Sequence, residues 1–133
     1  MKLALVVLSG AALLIPPAAR TADLEEPRLT LRTARRVAFS PVEAFFVAEL
    51  VGGDEIEEFY CPELVWEWGD GSRSVSQSDC PPFAPDDELQ RLFTARHVYR
   101  HSGNHQIRLT LQKADRAIAA ASVSIVVHSR FGN

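Results

Sequence analysis

A two-residue period, recurring in short segments, is the feature that most restricts the fold of this chain. From His105 to Gln112, Ile107, Leu109 and Leu111 fall on one side, and Gln106, Arg108, Thr110 and Gln112 on the other. Successive side chains of a strand point to opposite faces, so this spacing specifies a half-buried strand. Ala117 to Val127 repeats it with Val123, Ile125 and Val127, and its β-branched end outweighs the helix propensity of its alanines. Arg28 to Arg32 carries Leu29 and Leu31 and reads as an edge strand, with Val37 to Phe39 as its continuation. Ala44 to Val51 is an apolar and aromatic central strand, closed by Gly52-Gly53. Leu64 to Trp68 and Arg73 to Gln77 flank the tight turn Gly69-Asp70-Gly71. Glu88 to Phe93 reads either as one helical turn or as the lead into a strand through His97. No segment carries a strong helical period. About seven strands joined by turn-rich segments make an all-β sandwich the expected class.

The chain has 133 residues, the size of one domain, and 47% of them are hydrophobic, enough for a core. A formal net charge of −3 gives no electrostatic basis for binding nucleic acid. The three arginines between Arg32 and Arg36 read as a solvated edge rather than an anion site.

The first segment reads as an export signal. Lys2 precedes an apolar run from Leu3 to Ile15, which Pro16-Pro17 ends before the small residues Ala18, Ala19 and Ala22. That order is the pattern of a secretory signal peptide, and the run is short for a bilayer span. The expected organisation is a signal over residues 1–22 and one domain over 23–133. The mature protein is then secreted or periplasmic, with no stable membrane span. In such a compartment two cysteines suggest a disulfide.

Two further stretches carry a family resemblance. Trp66-Glu67-Trp68-Gly69-Asp70-Gly71-Ser72 resembles the W-D-F-G-D-G-S signature of PKD domains, with Glu67 and Trp68 in place of the usual Asp and Phe. Downstream, His97-Val98-Tyr99, then Gly103, then Ile107 to Leu111 is similar to the family's H-x-Y…G-x-Y-x-V-x-L-x-V, with Ser102 and His105 replacing the usual Pro and aromatic. The resemblance spans residues 28–127. It implies an immunoglobulin-like, Greek-key β-sandwich of the PKD type, and a non-catalytic interaction or scaffolding module of exported proteins.

The motif residues have physical roles of their own. Trp66 and Trp68 are two apart and share one face of a strand, supplying much of a small core. Asp70-Gly71 suits a two-residue hairpin turn. Tyr99 precedes a glycine turn and the penultimate strand, the place of a tyrosine corner whose hydroxyl ties a crossover between sheets. Trp66, Trp68, Gly69, Asp70, Gly71, His97, Tyr99 and Gly103 are therefore read as determinants of the fold. With Asp70 and Gly71 as the turn, Cys61 faces Cys80 across the hairpin, close enough to bridge. Pro62, Pro81 and Pro82 end regular pairing there, so the bridge clips two loops rather than a ladder.

Function is expected at those loops. Val51–Cys61 is long and acidic and Ser78–Leu92 is long and proline-rich; in an immunoglobulin-like sandwich both leave the same end, beside the turn at Lys113 to Arg116. Loops on a rigid scaffold are usual binding surfaces, and Phe59, Tyr60 and Phe83 are the aromatic candidates to anchor a partner or cover the core. The expected partner is a protein, with a glycan as the alternative if the aromatics lie exposed in a flat row, and a structural subunit assembling by strand addition as another. No cofactor is expected. Asp54, Glu55, Asp86 and Asp87 offer hard oxygens suited to calcium, but their spacing matches no calcium loop. His97, His101 and His105 are four apart, which on a strand spans about 13 Å, too far for one zinc ion. No G-x-S-x-G, H-E-x-x-H or catalytic cysteine pattern occurs.

Overall fold

The computed structural model describes residues 10–13, 27–54 and 56–130. Most of the expected signal segment, and Glu55, lie outside those residues. Among the described residues there are eight strands: β1 (Arg28–Thr33), β2 (Val37–Phe39), β3 (Val42–Val51), β4 (Glu63–Glu67), β5 (Arg73–Ser76), β6 (Leu92–Tyr99), β7 (Gly103–Lys113) and β8 (Arg116–His128). They form two sheets, one ordered β1-β3-β6 and the other β2-β8-β7-β4-β5. This is an immunoglobulin-like, PKD-type β-sandwich.

The count of eight is in keeping with the expected number of about seven. Val37–Phe39 does not continue β1. The chain crosses between the sheets at 34–36, and β2 joins the opposite sheet, parallel to β8. Hydrogen bonds from Val126 N to Arg36 O and from Ser40 N to His128 O, at 2.7 and 2.8 Å, fasten it there. The stretch before Phe93 forms no helix; β6 starts at Leu92.

The two-residue period places the core between the sheets. Leu29 of β1, Phe46, Ala48 and Leu50 of β3, and Phe93 and Tyr99 of β6 face inward from one sheet. Trp66, Ile107, Leu109, Leu111, Val123, Ile125 and Val127 face them from the other, with Trp68 just past the end of β4. Trp66 and Trp68 stack with ring centroids 5.0 Å apart, and Phe46 packs against both.

The β4–β5 turn is one residue longer than expected. Trp66 pairs with Ser74 and Glu67 with Arg73, and Trp68 N donates to Ser72 O at 3.2 Å, leaving Gly69, Asp70 and Gly71 as a three-residue loop. Gly69 and Gly71, not Asp70, take positive φ, at 83° and 90°. Gly69 has a second reason to lack a side chain: a Cβ there would lie 2.6 Å from Gln106 O, against the backbone of β7.

Candidate functional site

The ends of β3, β5 and β7 and the starts of β4, β6 and β8 meet at one end of the sandwich. The acidic loop, the proline-rich loop and the β7–β8 turn therefore emerge together. Cys61 and Cys80 form a disulfide with Cα atoms 6.2 Å apart. The longer turn shifts the register by one, so the bridge is not a directly opposed pair. It lies beyond the last paired residues, Leu64 and Ser76, and joins loop to loop.

Further contacts fasten the same loops. The Tyr60 hydroxyl donates to Pro81 O at 2.7 Å. Lys113 Nζ donates to Tyr60 O and sits 5.7 Å from the Tyr60 ring centroid. Arg116 of β8 pairs with Glu58. Arg91, at the end of the proline-rich loop, donates to Leu50 O at 3.3 Å, Gly52 O at 2.9 Å and Gly53 O at 3.3 Å. Residues 52–61 are thus tied to residues 80–91 and to the β7–β8 turn. The contributions of Arg91, Lys113 and Arg116 have no signature in the sequence, because each acts across 38 to 58 residues.

The three aromatic candidates separate. A 3₁₀ turn over Glu57–Phe59 directs Phe59 inward, where it is 2% exposed; it belongs to the core and offers nothing to a partner. Tyr60 and Phe83 are half-buried and pack on each other, centroids 5.2 Å apart and planes at 58°. They border an open cleft of about 340 Å³, which also meets Glu57, Asp79 and Lys113. Asp87 is used locally: its carboxylate accepts from Ala84 N at 2.7 Å. Among the described residues, no three His, Cys, Asp or Glu side chains converge to hold a metal ion.

The sequence-motif residues gather at the opposite end. His97 of β6 stacks on Trp68 at 4.5 Å with nearly parallel planes, and meets Tyr99 edge-on at 4.8 Å. His97 Nε2 donates to Asp70 Oδ2 at 2.6 Å, while the Ser72 N–H and hydroxyl bond Asp70 Oδ1. The Tyr99 hydroxyl donates to Trp68 O at 2.8 Å, tying β6 to the β4–β5 turn of the opposite sheet. His105 packs on Tyr99 and donates from Nδ1 to Gly69 O at 3.2 Å. Gly103 lies over the His105 ring.

These contacts set the ionisation of two groups. Partial burial pushes the Asp70 carboxyl up, but its hydrogen bonds from His97 and Ser72, together with the charge of His97, hold it well below the usual carboxylate range. Burial, and then the Asp70 charge, push the Tyr99 phenol well above its usual range. Ser72, His97 and Asp70 do not form a nucleophilic relay. A relay places the carboxylate on one ring nitrogen and the serine on the other. Here Asp70 occupies Nε2, and the 3.4 Å contact from Ser72 Oγ falls on that same nitrogen.

No protein-family model and no curated protein matches the chain. Solved structures do. The PKD domain of an M14-like peptidase from Thermoplasmatales archaeon SCGC AB-540-F20 superposes with a TM-score of 0.55 at 9% identity, over 79% of this chain and 98% of that one. A CARDB domain from Pyrococcus furiosus, solved in complex with di-metal ions, gives 0.53 at 8% identity, over 81% of this chain and 97% of that one. The class is therefore the immunoglobulin-like sandwich shared by PKD and CARDB domains. At these identities the likeness is one of fold.

Proposed function

We propose that this chain is a non-catalytic binding module of an oxidising compartment, secreted or periplasmic, and that it recognises a protein through the fastened loop end. The observation that carries this reading is the concentration of cross-links there. One disulfide, one ion pair and hydrogen bonds from Tyr60, Arg91 and Lys113 hold two loops that no strand ladder orders and fasten them to the β7–β8 hairpin. Fixing a surface before a partner arrives removes part of the ordering cost of binding. The disulfide favours an oxidising compartment. Among the described residues, no helix is long and apolar enough to cross a membrane. The tilt of Tyr60 against Phe83 favours a protein over a glycan, since sugar rings stack best on a flat aromatic row.

The test is affinity capture from envelope extract, using the chain beside a Tyr60→Ala/Phe83→Ala variant and a Phe39→Ser variant. Phe39 is exposed on β2, a strand of another edge. A protein partner lost by the first variant and kept by the second supports the reading. Capture that survives Tyr60→Ala/Phe83→Ala overturns the placement.

A further inference from the structure

The open edge of β6 has a register that matches itself. β6 is an outer strand of the three-stranded sheet and, at eight residues, the longest edge in the sandwich; β1 has six, β5 four and β2 three. In an antiparallel ladder, alternate residues turn both N–H and C=O to the same neighbour. Leu50 N donates to Arg91 O at 2.7 Å, immediately ahead of the β3–β6 register that begins at Glu49↔Leu92. Phe93, Ala95, His97 and Tyr99 therefore bond to β3. Leu92, Thr94, Arg96 and Val98 turn their backbone groups to the open edge, and their side chains are the exposed ones.

Self-pairing must match members of that second set with one another. An antiparallel arrangement with a two-fold axis at Ala95 pairs Leu92 with Val98 of the second copy and Thr94 with Arg96, engaging all four residues. Shifting the axis to residue 96 sets Arg96 on Arg96. Shifting it to residue 94 sets Leu92 against Arg96. The Ala95 register alone joins the two apolar residues, which are 54% and 42% exposed. Its charges are also accommodated: Arg96 lies 3.6 Å from Glu43 of its own chain and 5.7 Å from the Phe45 ring, so it brings no unmatched charge to the seam. An edge of this length that meets no other strand is a template for strand addition, and Leu92 O, which accepts from Gln90 Nε2 at 3.0 Å, exchanges that bond on pairing.

We infer that two copies of this chain associate through antiparallel β6–β6 pairing about Ala95, producing a continuous six-stranded sheet ordered β1-β3-β6-β6-β3-β1. An interface of four edge residues per copy is small, and the dimer is expected to be weak and concentration-dependent.

Sedimentation equilibrium of the chain over a wide concentration range tests this. Thr94→Pro removes only an edge-directed N–H and leaves the β3 ladder intact; Leu92→Lys/Val98→Lys sets like charge along the seam and serves if the proline variant does not fold. Each is expected to raise the dimer dissociation constant by about tenfold or more with thermal stability retained. A Thr94→Cys/Arg96→Cys variant is expected to form a covalent dimer on oxidation. The inference is overturned by a chain that stays monomeric at all concentrations, by a dimer that neither folded variant weakens, or by failure of the paired cysteines to cross-link. Strand pairing with a different protein alone, without self-association, would likewise overturn it.

Discussion

His97 Nε2 lies 2.6 Å from Asp70 Oδ2 and joins the last residues of β6 to the tip of the β4–β5 turn, across the two sheets. A carboxylate can only accept, so Nε2 carries the proton. The His97 ring is fixed in that orientation by its stack on Trp68. The exposed turn is in this way connected through Trp68, Trp66 and Phe46 to the centre of the core.

Replacing Asp70 by Asn should lower stability by about 1–2 kcal/mol at neutral pH, the value of a charge-assisted bond discounted for partial exposure. The folded carboxyl sits below its ordinary value of 3.8. Its contribution is therefore complete above that value and is lost as pH falls below it toward the folded value. Urea unfolding at pH 7 and near pH 3 checks this: the gap between the chain and Asp70→Asn should narrow in acid. An equal gap at both values would show that the charge contributes nothing.

The loop aromatics give a contrast that composition alone would not. Phe59→Ala removes a buried ring and should cost about 3–5 kcal/mol. Tyr60→Ala and Phe83→Ala, on half-buried rings at the cleft, should each cost far less, on the order of 1 kcal/mol. Cys61→Ala/Cys80→Ala should cost about 3 kcal/mol, from release of a loop with a sequence separation of 19. Denaturant midpoints rank the four; Phe59→Ala falling among the mild ones would contradict its burial.

The strand faces were legible because burial follows a strict two-residue alternation: Ile107, Leu109 and Leu111 are all fully buried as their spacing requires. The tryptophan pair was legible for the same reason. What the chain conceals is set by tertiary contact. Asp-Gly suggests a two-residue turn, yet the approach of Gly69 to the Gln106 backbone favours three residues, and the cysteine register moves with it. Val37–Phe39 is too short to show a period, so its change of sheet leaves no local mark. At the loop end, an aromatic run next to a proline-rich segment does not reveal which ring turns inward. The 3₁₀ turn before Tyr60 decides that.

The β7–β8 turn leaves room for improvement. Ala114 and Asp115 take φ of 51° and 62°, the mirror-image turn that suits twisted hairpins but strains a residue with a β-carbon. Ala114→Asn/Asp115→Gly supplies the preferred pair and should raise stability by about 0.5–1 kcal/mol. Thermal unfolding measures it, and a fall in midpoint would show that the side chains present are doing more than closing the turn.

Gly69 and Gly71 separate two costs that usually travel together. Both adopt positive φ, which penalises any residue with a β-carbon by roughly 1–2 kcal/mol. At Gly71 nothing lies within 4 Å of an added Cβ, so Gly71→Ala should cost only that backbone term. At Gly69 the added atom meets Gln106 O at 2.6 Å and Gln106 N at 2.7 Å, and both are backbone atoms of a central strand that cannot turn aside. Gly69→Ala must push the turn off β7, which also withdraws the Gly69 carbonyl from His105 and the Trp68 carbonyl from Tyr99. Its cost should exceed that of Gly71→Ala by about 1–3 kcal/mol. Chemical denaturation of the two variants side by side decides it: similar midpoints would mean that the turn does not rest on β7, and that backbone conformation alone keeps glycine at position 69.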